Sequence, residues 1–502
     1  MDSWEDFKKF CQDKKLILYG LGTLLNYFFI RCGNEIPIAA AIDNDVTKQG
    51  QLLKDFFDES DLNEAKDIKI SPKDLLHKYE PSDTVILISS FRYFEEIANE
   101  LAAMGFKNTF SAQILESNYR KKNNLSFESQ DNYMSEYAKF CAEKYPIDNN
   151  KIIFLLMDRY PEHGKYITEK LLSLNKNLDI VWTANSKLSW IPNGVRFVNE
   201  GKWKQFIYEI ETAKILMHCT AIRTTYQLKR SGQIYFQIKH WGSLTLKKFF
   251  LDETENNETD LWRKTGELYD YIISGSDLDE QSCRSGFNFH GEFVRFGSPR
   301  SDILFTPDKY KEKIHKIFGL NVEDRILLYA PTWRGHSTKY QRGANLDFEL
   351  LKNSLTEKFG GSWKFFLKFH PTVKSYTEKV DYPDCVINVS NYPDGQELIA
   401  ASDIMITDYS SIMFEPAYVL KPVFLCAPDK YEYIKSERTF LIDYDSLPFP
   451  ISMTNEELSA QIKNFDDVAY KARVQRFLEK YGVHEDGKAS ERTAKFIIEL
   501  SR

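Results

Sequence analysis

No stretch of this 502-residue chain stays apolar for the roughly 18 residues that a membrane-spanning helix needs. The first residues, Met1-Asp-Ser-Trp-Glu-Asp, lack the basic start and apolar core of a signal peptide. Cysteine is sparse: seven residues, at 11, 32, 141, 219, 283, 385 and 426, odd in number and never spaced CxxC. That pattern excludes a disulfide framework and a cysteine-based zinc site, and indicates reduced thiols in a cytoplasmic protein. The histidines form no HxxxH or HxH pair, so no metal is expected. Excess positive charge is missing too. A net charge of −7 and a sequence pI of about 5.9 exclude a general nucleic-acid binder. Repeats and low-complexity tracts are absent. The basic pairs Lys229-Arg230 and Lys247-Lys248 leave contact with an anionic membrane surface open, beside a reading as solvated or substrate-facing charges.

The length exceeds what one core accommodates, so two or three domains are expected. Residues 1–118 read as a small Rossmann-like α/β unit. Strands are predicted at Leu16–Tyr19, Ile38–Ile42 and Thr84–Ser89, with helices at Leu24–Cys32 and Phe94–Gly105. Its turn Gly20-Leu-Gly22 and strand-end Asp43 match half of a dinucleotide fingerprint. The third small residue is missing, since Leu25 or Asn26 stands there. An accessory nucleotide site at Gly20, Gly22 and Asp43 and a purely structural unit are both open readings. Residues 119–150 are polar and are expected to be a linker with one amphipathic helix near Tyr133–Lys144. Residues 1–118 are therefore expected to be separable, and a chain starting near residue 125 to fold and act on its own.

From Lys151 two further α/β series follow. Strands are predicted at Lys151–Leu156, Asp179–Trp182, Lys214–Met217, Gln233–Phe236 and Ile272–Ser274. The second series, from Gly297, has them at Arg325–Tyr329, Lys364–Lys368, Ile404–Ile406 and Pro422–Leu425. The last helix, Glu491–Leu500, is expected to pack back on the first series. Two successive Rossmann-like domains, 151–296 and 297–502, facing each other across a cleft, correspond to the GT-B architecture; that inference concerns fold alone.

Open α/β sheets bind ligands beyond the carboxyl ends of their strands, and the polar motifs of this chain lie there. Thr407-Asp408-Tyr409-Ser410-Ser411 follows an apolar strand and precedes an apolar helical run. Hydroxyls at a helix start suit a diphosphate, with Glu415 one turn on for a ribose; the alternative is a plain helix cap. Pro416 is awkward inside a helix, so a restart is expected there. His240 stands just past a strand, where an imidazole can take a proton from a hydroxyl. Tyr329-Ala-Pro-Thr332-Trp-Arg334 offers a hydroxyl and a guanidinium fork to phosphate, and Lys368-Phe-His370-Pro371 a further donor. Gly297-Ser-Pro-Arg300-Ser-Asp302 marks the crossing between the domains; Arg300 with Asp302 also reads as a salt-bridged hinge. The remaining histidines, His163 and His218 among them, are read as structural.

Together these motifs resemble the CDP-glycerol:poly(glycerol phosphate) glycerophosphotransferase family, the polymerases and primases of teichoic acids with relatives in capsule synthesis. The likeness runs from about residue 151 to the C-terminus. It rests on Ala213-Lys214, Lys229-x-x-Gly232-Gln-x-Tyr-x-Gln237, the His240 segment, Gly297-x-Pro-Arg300-x-Asp302, Tyr329-Ala-Pro-Thr-Trp-Arg334, Ile406-Thr-Asp-Tyr-Ser-Ser411 and Asp486-Gly-Lys-Ala-Ser-Glu-Arg492. One departure stands out. Where the family reads Gln-x-Trp-His-Gly-Thr-Pro-Leu-Lys, this chain has Gln237-Ile-Lys-His240-Trp-Gly-Ser-Leu-Thr-Leu-Lys247, which reshapes the acceptor side.

The resemblance implies transfer of a polyol phosphate, glycerol phosphate first among the candidates, from its CDP ester to a hydroxyl of a cell-surface glycopolymer, with CMP leaving. The partners would be CDP-glycerol or a related CDP-alditol and a glycopolymer or lipid-linked acceptor, met in the cytoplasm or at the inner face of the membrane. No cofactor is implied, the CDP-alditol being a substrate. His240 and His370 would be catalytic, and Arg300, Thr332, Arg334, Asp408, Ser410, Ser411 and Glu415 would bind the donor. The alternatives are a GT-B glycosyltransferase using a CMP-sugar, a nucleotide-binding oxidoreductase built on Gly20-Leu-Gly22, and a non-catalytic binding subunit.

Overall fold

The computed structural model describes residues 3–33, 35–90, 93–123, 132–156, 162–175, 177–184, 188, 190–219, 229–246, 265–332, 346–369, 382–436 and 440–502. Among these the chain builds three sheets, and every strand pairing within them is parallel. The first sheet contains β1 (Lys15–Tyr19), β2 (Ile38–Ile42), β3 (Ile70–Ser71), β4 (Thr84–Ile88) and β5 (Thr109–Ser111), in the order β3-β2-β1-β4-β5. The second contains β6 (Asp148–Leu155), β7 (Asp179–Ala184), β8 (Val195–Asn199), β9 (Ala213–His218), β10 (Ile234–Gln237), β11 (Tyr271–Ile273) and β12 (Glu292–Val294), in the order β12-β11-β10-β9-β6-β7-β8. The third contains β13 (Asp324–Tyr329), β14 (Ser362–Leu367), β15 (Val386–Asn388), β16 (Ile404–Thr407), β17 (Val423–Cys426) and β18 (Ile451–Ser452), in the order β15-β14-β13-β16-β17-β18.

Each sheet follows one rule. The chain builds outward from its first strand on one side, then crosses back to lay its fourth strand on the other. The crevice lies beyond the first and fourth strands, where the winding reverses. Strands covered on both faces read as apolar runs: β4 and β17 are buried at every residue. All the interior strands predicted from the sequence are present. The six strands at the sheet edges, β3, β5, β8, β12, β15 and β18, were not legible: each is in part solvent-facing, and all but β8 are two or three residues long.

The N-terminal sheet is not set apart by a bare linker. A boundary at residue 118 falls inside a helix, Ala112–Lys122, and a second helix follows at Asn132–Lys144. Met134, Ala138 and Cys141 pack on Trp203 and Ile207, with Ile30 of the first domain against the same cluster. The Trp203 indole donates to Asp61 at 3.0 Å, the Lys204 N–H to Asp58 at 3.0 Å, and Lys204 Nζ to Asp61 at 2.6 Å. The amphipathic helix expected near Tyr133–Lys144 is thus present, and it packs on the second sheet's domain with Ile30 of the first domain in the same cluster. The apolar face of the helix Trp203–Thr212 is covered by the residues that read as linker. At the other end of the chain, the helix Ala489–Leu500 returns to the second sheet, where Ala494 and Ile497 join the core with Ile152 and Ile167.

The seven cysteines are free and buried. No helix among the described residues is long and apolar enough to cross a membrane.

Candidate active site between the second and third sheets

The crevice of the third sheet is braced at its reversal point. Asp408, following β16, accepts the Thr332 N–H at 2.7 Å, the Thr332 hydroxyl, and the Tyr409 N–H at 2.6 Å. The Tyr444 hydroxyl donates to the Asp408 carbonyl at 2.9 Å. Asp408 is therefore a brace joining the ends of β13 and β16. Thr332, whose hydroxyl proton points at Asp408, offers a phosphate no hydroxyl donor. These contacts have one cause: a carboxylate buried under this loop takes the donors nearest to it.

A short 3₁₀ turn, Ser411–Met413, and the helix Phe414–Tyr418 follow. The helix restarts at Phe414, which puts Pro416 in a first turn that needs no N–H from it. Ser410 caps the turn, its Oγ accepting the Ile412 N–H at 3.4 Å, and is half-buried. Ser411 turns the other way. Its Oγ takes the N–H of Leu246 at 2.9 Å and lies 3.2 Å from the Thr245 hydroxyl.

Leu246 belongs to a loop of the second sheet's domain that reaches across the crevice. Residues 238–246 follow β10, and all are buried except His240, which is half-buried. Leu244 and Leu246 lie in the core of the third sheet's domain. The Leu244 N–H donates to the Tyr418 hydroxyl at 3.1 Å, and Leu441 donates its N–H to the Leu246 carbonyl at 2.7 Å. Lys239 is ion-paired to Asp279, which also accepts the Trp241 indole N–H at 3.1 Å. Trp241 stacks on Phe287, with centroids 6.4 Å apart. Lys239 has a φ of 60°, unusual for a side chain of its length, and is held there by this pairing. The departure from the family pattern thus has a local structural account: lysine takes the buried carboxylate, and the tryptophan after His240 fills the apolar pocket.

Arg300 is the hub of the interface. It donates to Glu162 and Glu415 through Nη1 and Nη2, and to the His240 carbonyl through Nη1 at 2.9 Å. Burial opposes its charge, but Glu415 and Glu162 outweigh this and hold its pKa above the ordinary value. Glu415 is 1% exposed, and its second oxygen accepts from Gln396. In this arrangement Glu415 anchors Arg300 and is not open to a ribose, and Arg300 holds the His240 loop. No Arg300–Asp302 bridge forms. Asp302 accepts the N–H groups of Ala489 and Ser490, at 2.9 and 2.7 Å, and so caps the last helix.

The two strings that distinguish the C-terminal half therefore interlock. Gly297 has φ 89°, and a Cβ there would lie 2.9 Å from Glu485 Oε2. Glu485 accepts the Ser298 N–H at 2.9 and 3.2 Å and meets the Ser243 hydroxyl. Burial pushes its carboxyl pKa up to about 8.

Three interface groups escaped the sequence reading. Glu485 is one. The second is Lys165, which binds Asp394 at 2.6 Å and Glu397 at 3.1 Å, while Tyr166 donates to Asp394 at 2.8 Å. The third is His163, a structural residue by sequence alone, which lies buried beside Arg300 and Trp241. The available signal was position: His163 opens the helix that follows β6, at the reversal point of the second sheet.

His370 and Arg334 lie outside the described residues, as do Lys247 and Lys248. Lys229 pairs with Asp270 at 2.9 Å, and Arg230 binds the carbonyls of Glu211, Ala142 and Tyr145, so both charges have protein partners. In the N-terminal unit, Asp43 accepts the Leu21 N–H at 2.7 Å, the Asp45 N–H at 2.9 Å and Lys48 Nζ at 3.0 Å. Ser89 Oγ takes the Gly22 N–H at 3.2 Å and donates to the Gly20 carbonyl. No cluster of three or more His, Cys, Asp or Glu suited to a metal occurs among the described residues.

Paired Rossmann-like sheets meeting at a polar crevice define a GT-B-like protein. The wall teichoic acid polymerase TagF shares that fold with a TM-score of 0.63 and 24% identity, over 74% of this chain and 93% of that one. The sequence profile of the family described as CDP-Glycerol:Poly(glycerophosphate) glycerophosphotransferase matches residues 137–499, and the chain belongs to that family. A teichoic acid poly(glycerol phosphate) polymerase of Staphylococcus epidermidis is 26% identical over 355 residues, covering 66% of this chain. This chain spans only 48% of that polymerase's length. A teichoic acid glycerol-phosphate transferase of Staphylococcus aureus is 27% identical over 413 residues, 78% of this chain and 99% of that protein.

Proposed function

We propose that this protein transfers glycerol phosphate from CDP-glycerol to a hydroxyl of a teichoic-acid or capsule glycopolymer, free or lipid-linked, at the inner face of the membrane. The acceptor oxygen attacks the β-phosphorus and its proton passes to His240. The bond from that phosphorus to the bridging oxygen breaks, and CMP leaves with the electron pair. Ser410, with Arg334 and His370, binds the diphosphate and stabilises the charge that accumulates on it. Ser411 and Arg300 hold the His240 loop against that site, Glu415 anchors Arg300, and Asp408 with Thr332 keeps the phosphate loop in place. The observation that carries the reading is the exposure pattern of residues 238–246. In a loop buried everywhere else His240 alone is half-buried, and the same loop is bonded to the hydroxyl next to Ser410.

The names of the related proteins support the substrate class, and so does a TagF variant solved after soaking with CDPG. Incubation with CDP-glycerol, CDP-ribitol or CMP-sugars plus a glycerol-phosphate acceptor, read by mass spectrometry, tests it. A product heavier by one glycerol phosphate, with CMP released, is expected. Sugar transfer from a CMP-sugar, or no CMP from either CDP-alditol, overturns it.

A further inference from the structure

The His240–Trp241 backbone is held from two sides by groups distant in sequence. Arg300 Nη1 donates to the His240 carbonyl at 2.9 Å, and the His163 ring meets the Trp241 carbonyl through Nε2 at 3.0 Å. His163 Nδ1 accepts the Arg300 main-chain N–H at 3.4 Å. A nitrogen that accepts an N–H carries no proton, so the proton sits on Nε2 and is donated to the Trp241 carbonyl. The imidazole is 1% exposed, and both ring nitrogens are used. One neutral ring therefore ties the helix that opens at His163, the domain crossing at Arg300, and the loop that carries His240. Burial foremost, then the nearby Arg300 charge, hold its pKa far below the ordinary imidazole value, which keeps Nδ1 an acceptor.

We propose that His163 is a positioning residue for the transfer reaction: through Nε2 it fixes the carbonyl next to His240 and so sets where the base points. This deepens the proposed function and rests on it. His163 touches no substrate. It acts on the reach of another group, and a misplacement of about 1 Å in such a group costs roughly a hundredfold in rate.

Three variants of the full chain test this: His163→Gln, His163→Asn and His163→Ala. Glutamine places an amide N–H near the Nε2 position and keeps the bond to Trp241. Asparagine reaches only to the Nδ1 position, keeps the Arg300 contact and loses the loop. His163→Ala and His163→Asn are expected to lower kcat roughly tenfold to a hundredfold, with KM for CDP-glycerol and calorimetric CDP affinity unchanged, and His163→Gln to restore most of kcat. Hydrogen exchange of the 238–246 peptide, measured without substrate, should quicken in the asparagine variant and not in the glutamine one. Equal kcat in the glutamine and asparagine variants, or a parallel loss of CDP affinity, overturns the positioning role. If the wild-type chain turns over neither CDP-glycerol nor CDP-ribitol, the functional reading has failed. The exchange contrast then still decides the clamp, and equal exchange in the two variants overturns it.

Discussion

The crevice beyond β1 and β4 and the crevice beyond β13 and β16 occupy the same topological place in their sheets, and each has a carboxylate beside it. At the first, Asp43 takes the N–H of Leu21, and Ser89 takes that of Gly22. Two backbone donors of the glycine turn are thus taken by the protein's own oxygens. At the second, Thr332 and Tyr409 draw Asp408 beneath the loop and leave Ser410 half-exposed above it. Topology supplies a crevice wherever a parallel sheet reverses its winding, but the donors left facing it decide whether an anion binds. The same comparison separates Ser410 from Ser411, which are neighbours in the chain and point to different partners.

The contrast can be broken most forcefully at His240. His240→Ala should lower transfer by about 10²–10⁴-fold while CDP affinity stays intact; a variant keeping more than half the normal rate near neutral pH removes the base assignment. On the donor side, Ser410→Ala, Arg334→Ala and His370→Ala should each weaken CDP-glycerol binding by about tenfold to a hundredfold, since hydrogen bonds to charged groups are worth roughly 1.5–3 kcal/mol. Ser411→Ala should instead act on kcat. Calorimetry in which Ser411→Ala loses donor affinity and Ser410→Ala does not would reverse the two roles.

A smaller effect is expected at Glu485. Its folded-state pKa, about 8, lies above the ordinary glutamate value of about 4.3, so the folded chain holds a proton that the unfolded chain releases. That contribution to stability is full below the ordinary value and is lost as pH rises through about 8. Glu485→Gln should flatten the fall in thermal midpoint across this window; an unchanged slope assigns it to other groups. The smallest effect belongs to the N-terminal crevice. Asp43→Ala should cost about 1–3 kcal/mol of stability, by leaving buried donors without their acceptor, and should leave CDP-glycerol turnover within about twofold. Loss of turnover in a folded Asp43→Ala protein would join the two crevices functionally.

The interior strands and the loops after them were legible because each is a local pattern. An apolar run such as Thr84–Ile88 or Val423–Cys426 is dictated by burial on both faces, and a polar cluster behind it marks a strand end. The edge strands were not legible. Val386–Asn388 and Glu292–Val294 are three residues long and half-covered, and only a neighbouring strand defines them. Within 119–150 the helix near Tyr133–Lys144 was legible from its apolar stripe, but the partners of that stripe, Trp203 and Ile207, were not.

From the sequence alone came three parallel α/β units, the strand-end positions of His240, Ser410, Ser411 and Arg300, and the family likeness those positions carry. Partners were decided only in the tertiary structure. Arg300 meets Glu415 across 115 residues, His163 meets Arg300 across 137, and Ser243 meets Glu485 across 242. No local pattern encodes such pairings, because a buried charge takes whichever opposite group the packing brings within reach. The residue types were set by the chain; which of them bind a ligand and which bind one another was set by the closing of the two sheets on each other.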